Sequence, residues 1–312
     1  MAGTAHPSYR RVLAPVARAP PRGGAVLLVR AGGRWRRAGG PAAARALGPV
    51  PRLPRVTQPR DLQDRITAAR EALTENPVWY HTIELAPGVT TPGFVDHRPI
   101  TPRILPADMR GLRVLEVGTF DGHWSFSMEE RGAEVTALDL PDFDATSWPP
   151  VHRERLQAEI AERNMELGRG FRLAHELRGS SVTRVTGDVQ TLGPGELDDE
   201  PFDVVFIGAV LLHLRDPVGA LERMAQRTRP GGRLIALETF SLLATVLSPW
   251  RAMARFQTLE TPFNWWVPNM VALRDWFATA GWVDVRRHGI HKPPAKAEMS
   301  DRYVHFSARK PG

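Results

Sequence analysis

The run Val114-Leu115-Glu116-Val117-Gly118-Thr119-Phe120-Asp121-Gly122 constrains the fold of this chain more than any other feature. An apolar strand enters a turn that carries two glycines, and a helical pattern starts at Gly122. Glycine accepts positive φ and lets the backbone approach a ligand, while the first turn of the helix offers unpaired N–H groups at the positive end of its dipole. A strand, turn and helix in this order suit a nucleotide-like ligand at the edge of a parallel sheet. Twenty-one residues after Gly118, Asp139 ends the next apolar run, where a carboxylate can accept hydrogen bonds from ribose hydroxyls.

The rest of the chain extends this unit. Apolar spacing predicts a helix over 61–73, then a Pro- and Gly-punctuated stretch to residue 110 that is expected to be a lead-in or lid. Strands are expected at 113–117, 134–138, 182–186, 202–207, 233–238, 282–287 and 302–309, and helices at 122–131, 153–167, 216–227 and 269–280. Alternation of the two periods argues for a doubly wound sheet. The aromatic-rich stretch 240–267 breaks the rhythm and reads as an insertion above the strand ends.

The glycine spacing alone is weak, because a tight turn that binds nothing needs the same residues. A dinucleotide fingerprint would place Gly at positions 120 and 123, where this chain has Phe120 and His123. Three further segments follow in order: Gly187-Asp188-Val189, then Phe202-Asp203-Val204-Val205-Phe206-Ile207-Gly208 with Leu211-Leu212-His213-Leu214-Arg215-Asp216-Pro217, then Arg229-Pro230-Gly231-Gly232. Together the four segments resemble the class I S-adenosylmethionine (SAM) dependent methyltransferases over residues 111–309. Asn76-Pro77-Val78-Trp79-Tyr80-His81, Gly122-His123-Trp124-Ser125-Phe126, Leu237-Glu238-Thr239 and Val267-Pro268-Asn269 are similar to the branch that holds the tRNA wobble-uridine carboxymethyltransferases and related methyltransferases.

The resemblance implies an α/β fold, a Rossmann-like seven-stranded doubly wound sheet, mostly parallel with an antiparallel last strand. It implies SAM as cofactor, with Glu116, Gly118, Thr119 and Gly122 flanking its amino-acid end, Asp139 its ribose, Asp188 and Val189 its adenine, and Ile207 and Gly208 the inner wall. Phe120 stands where the usual turn has Gly, so its ring is expected to point away from the methionine moiety. His213 has two readings, a general base toward an acceptor hydroxyl or a structural histidine beneath the sheet edge. Trp79, His81, Trp265 and Trp266 are candidates for an aromatic acceptor pocket. No metal is required, because in-line positioning of an acceptor against a sulfonium accounts for most of the acceleration.

In the carboxymethyltransferases a Tyr precedes the histidine after the fourth strand, and a lysine lies in the lead-in. Here Leu212 takes the first place, and the only lysines are Lys292, Lys296 and Lys310, so the lead-in has none and offers Arg98 or Arg103 as the alternative cation. An unpaired buried carboxylate is costly, so ordinary SAM rather than its carboxylated derivative is expected.

Composition bears on partners. The formal charge is +7, yet residues 1–60 hold twelve Arg and no Asp, Glu or Lys, so the remaining 29 basic residues face all 34 acidic ones, a balance of −5. An acidic body favours a small-molecule or natural-product acceptor over nucleic acid, with tRNA as the alternative and a non-catalytic SAM-binding protein as a third reading. Residues 1–60, with nine Pro and eight Gly, are expected to be a disordered tail, or sequence upstream of a true start near Val56. Domains are therefore expected at 1–60, 61–110 and 111–312. The chain lacks cysteine and any long apolar run, so a cytoplasmic protein with no membrane partner is expected.

Overall fold

The computed structural model describes residues 59–312, except 194, 198, 199, 260 and 297–300. The tail expected over 1–60 lies outside the described residues apart from its last two positions, which open helix α1 (Pro59–Glu75). A short hairpin of β1 (Glu84–Ala86) and β2 (Val89–Thr90) follows, then the single turn α2 (Thr101–Ile104).

The sheet begins with β3 (Arg113–Val117), which leads into α3 (His123–Glu129) and β4 (Glu134–Asp139). Next come α4 (Pro150–Glu162), α5 (Arg169–Arg178) and β5 (Thr183–Thr186), then β6 (Phe202–Gly208), α6 (Pro217–Arg227) and β7 (Thr228–Thr239). A helix over 153–167 was expected; instead α4 stops early and α5 starts anew. Asn164 and Gly168 between them take φ of +50° and +86°, which breaks the helical path. The break lets Phe171, Leu173 and Ala174 of α5 turn onto the sheet.

After β7 the insertion holds α7 (Leu242–Leu247) and an antiparallel ribbon of β8 (Ala254–Phe256) and β9 (Trp266–Pro268). The chain closes with α8 (Met270–Thr279), β10 (Val283–His291) and β11 (Tyr303–Arg309). Strand order is β10-β11-β7-β6-β3-β4-β5. The five strands from β7 to β5 are parallel, and β11 runs antiparallel to both its neighbours, as the sequence led us to expect. Order reverses at β3, so a crevice opens beyond the carboxyl ends of β3 and β6.

Alternation along the strands divides the core into two layers. Val114, Val204, Phe206, Ile235 and Leu237 face one side, where Trp79, Ile83, Leu85, Ile104 and Met109 of the lead-in pack with Trp124 and Phe126 of α3. Leu115, Val205, Ile207, Leu234 and Ala236 face the other, against Leu221 of α6, Phe277 of α8 and Trp282. The lead-in therefore shares a core with the sheet.

Pro230-Gly231-Gly232 lies inside β7 rather than before it. Pairing jumps from Phe202 opposite Thr228 to Val204 opposite Arg233, so residues 229–232 bulge out, with Gly231 at φ +72°.

Candidate active site

The glycine turn has the shape its sequence demands. Gly118 sits at φ +77°, and a Cβ there would lie 2.4 Å from Cγ2 of Val210. Only glycine fits both restraints. Phe120 also takes a left-handed φ of +51°, a strain of about 1–3 kcal/mol for a residue with a Cβ. The Phe120 N–H donates to Oδ2 of Asp139 at 2.8 Å, and the Leu140 N–H donates to Oδ1 at 2.8 Å. Asp139 thus locks the turn to the end of β4. The Phe120 ring lies 5.7 Å from that of Tyr80 and forms part of a cavity wall.

Other candidate residues are engaged within the turn, α3 and the core. Glu116 is buried and accepts the Ser125 hydroxyl, and Thr119 Oγ1 stands 3.3 Å from Ser125 Oγ. Burial pushes the Glu116 carboxyl up to about 7. Gly122, at φ +92°, caps α3 where a Cβ would strike the Phe126 ring at 2.5 Å. Ile207 belongs to the far core layer. None of Glu116, Thr119, Gly122 and Ile207 lines the cavity beside the turn, whereas Gly118, Asp139, Asp188, Val189, Gly208 and His213 do.

That cavity measures about 430 Å³, within the range of small-molecule sites. Its walls come from the lead-in at Tyr80, His81 and Phe94, from the strand ends, and from the insertion at Phe263 and Asn264. Asp139, Asp188 and Asp301 line it, and among the described residues no Lys or Arg does. Burial raises the Asp139 carboxyl above its ordinary value. A cradle of carboxylates and close backbone suits a cationic, hydroxyl-bearing ligand of the SAM type.

His213 reaches this cavity from the single 3-10 turn 211–213 after β6. Its Nδ1 lies 2.8 Å from the Phe263 carbonyl, so Nδ1 carries the hydrogen and Nε2 the lone pair. Desolvation lowers its pKa below the usual value, partly offset by that bond. In the neutral ring held by that bond, Nε2 is the basic nitrogen.

Sequence reading missed three supports. Asp121, buried behind Phe120, accepts the N–H groups of Tyr80 at 2.6 Å and His81 at 3.0 Å, and burial pushes its carboxyl up to about 7. Gln190 donates to Ser147 Oγ at 2.7 Å and accepts the Arg215 N–H at 2.9 Å, so it ties three loops at the rim. Tyr80 and Tyr303 are hydrogen-bonded in the wall, and burial pushes the Tyr80 phenol up to about 12. A lone Asp, Gln or Tyr carries no spacing signal from which these partnerships could have been read. Of the aromatic candidates, only His81 lines the cavity; Trp79 is core, Trp265 donates its indole N–H to Ser147 O at 2.6 Å and Trp266 to Arg215 O at 3.2 Å.

Residues 94–287 match a family model described as a methyltransferase domain. The tRNA U34 carboxymethyltransferase of Azotobacter vinelandii is 30% identical over 211 residues, which span 66% of this chain and 56% of that protein. The demethylmenaquinone methyltransferase of Mycolicibacterium paratuberculosis is 34% identical over 140 residues, 36% of this chain and 59% of that protein. This chain thus spans little more than half the length of these curated relatives. Among solved structures, the N-terminal domain of EvdMO1 with SAH bound is 16% identical, covers 81% of this chain and all of its own, and superposes with a TM-score of 0.55, a likeness of fold.

Proposed function

The chain belongs to the class I SAM-dependent methyltransferases, and on that premise we propose that it methylates a hydroxyl of a small, largely apolar molecule. The observation that carries this reading is the charge of the cavity wall, with three aspartates and no Lys or Arg among the described lining residues. An acceptor phosphate or an extra carboxylate on the cofactor would enter without a counter-charge, at a cost of several kcal/mol. SAM, when bound, supplies an activated methyl group on a sulfonium. In the proposed arrangement Asp139 accepts from the ribose hydroxyls, Asp188 and Val189 meet the adenine, and Gly118 and Gly208 allow close approach. His213 Nε2 then takes the proton of the acceptor hydroxyl as its oxygen gains the methyl group. Glu116, Thr119 and Gly122 hold the turn in shape from behind. A cytoplasmic setting is part of the same proposal.

The relative from A. vinelandii raises the tRNA reading, with carboxymethyl transfer as its chemistry. Competitive calorimetry between SAM and carboxy-SAM separates the two. SAM is expected to bind tighter, and incubation with small hydroxylated acceptors to yield a gain of one methyl by mass, lost in His213→Gln. A clear preference for the carboxylated form would overturn the proposal in favour of tRNA.

A further inference from the structure

The insertion between β7 and α8 exposes apolar side chains that the cavity does not use. Leu243, Leu247 and Trp250 are 69%, 68% and 76% exposed, and Val246, Phe256 and Leu259 are exposed in the same segment. α7 buries none of its residues. This is a face held in place, for Asn269, itself fully buried, accepts the Met253 N–H at 3.1 Å and donates to Arg251 O at 2.8 Å. The Trp265 N–H donates to Leu212 O at 2.8 Å, and the Ser241 N–H to Pro268 O at 2.8 Å. Leu243, Val246 and Leu247 share one face of α7 by helical spacing, and apolar side chains left in solvent on a fastened segment mark an interaction site.

Charge selects the occupant. From Phe240 to Leu259 the chain has no Asp or Glu but has Arg251 and Arg255, although residues 61–312 as a whole are net acidic. Leucines beside a tryptophan and an exposed arginine make up a surface that settles at a headgroup boundary, where apolar side chains enter the acyl layer and the cation meets phosphate. A second copy of the chain fits less well. A two-fold interface would set the Arg251 patch against itself, with no carboxylate in the segment to offset it.

We propose that the segment 240–259 docks on a bilayer surface that carries anionic headgroups. No helix among the described residues is long and apolar enough to cross a membrane, so the attachment is peripheral. The absence of a spanning segment, from which we expected no membrane partner, does not bear on a surface of this kind. Docking stands apart from the acceptor's identity. The docked segment runs on to Thr261, Phe263 and Asn264, so it and one wall of the cavity are a continuous stretch of chain.

Flotation of the full chain with phosphatidylcholine vesicles containing about one third phosphatidylglycerol tests this. At about 0.5 M salt the twelve arginines of residues 1–60 are screened and apolar insertion is not. The parent is expected to float, and Leu243→Glu/Leu247→Glu to lose at least about tenfold in partition while its SAM affinity and thermal transition are unchanged. At about 0.1 M salt Arg251→Glu is expected to weaken partition to the mixed vesicles further than to phosphatidylcholine alone. Failure of the parent to float, or equal flotation of parent and double variant, would overturn the proposal. So would sedimentation showing a parent dimer that the double variant splits.

Discussion

Asp139 concentrates two tasks in one side chain. Its oxygens take the Phe120 and Leu140 N–H groups and it still lines the cavity. Asp139→Ala is expected to weaken SAM and S-adenosylhomocysteine binding by about 1–3 kcal/mol, the loss of hydrogen bonds to a charged acceptor. Calorimetry with unchanged affinity would remove Asp139 from the cofactor site. The left-handed Phe120 next to it explains how a turn without its usual glycine keeps its path, since the Asp139 bond and the Tyr80 ring hold it there. Gly118 was legible from sequence because φ and close contact both demand glycine. Asp121 was not, because its partners Tyr80 and His81 stand 41 and 40 residues away along the chain.

At the scale of elements, the insertion and α8 depend on one another through Asn269. Its side chain caps α8 by accepting the Ala272 N–H at 2.8 Å, and the same amide accepts from Met253 and donates to Arg251 O. Asn269→Ala is expected to cost about 2–3 kcal/mol, a lost cap plus buried groups left unpaired. Denaturant unfolding measures it, and a change below about 0.5 kcal/mol would show that the insertion is fastened elsewhere. The sequence placed the start of a helix at Asn269, and the cap itself came from the structure. Its grip on residues 248–253 followed only from the fold, as did the early end of the expected 153–167 helix at Glu162 and the separate α5, with left-handed Asn164 and Gly168 between them.

Across the whole molecule, buried acids set how stability responds to alkaline pH. Burial pushes Glu238 up to about 8, and Glu116 and Asp121 to about 7. Each is raised above its unfolded value, so its contribution is full below the unfolded pKa and is lost as pH rises through the folded one. The buried His81, His97 and His123 act oppositely, since burial lowers their pKa, but they are neutral in both states well above pH 7. Between about pH 7 and 8.5 the parent is therefore expected to lose about 1 kcal/mol more than Glu238→Gln, read from urea midpoints. Parallel curves for the two would mean that Glu238 is already charged in the folded protein. Sequence by itself determined the seven strand periods, the glycine turn and the Asp139 strand end, because strand alternation, helical spacing and glycine geometry are local and repeat at short range, and four segments in order carried the resemblance to the family. Tertiary structure alone decided that Glu116, Thr119, Gly122 and Ile207 lie behind the cavity, that the cavity wall is acidic, and that an apolar face remains in solvent. Which side of a wall a residue occupies depends on contacts between segments far apart in the chain, and no local pattern encodes them.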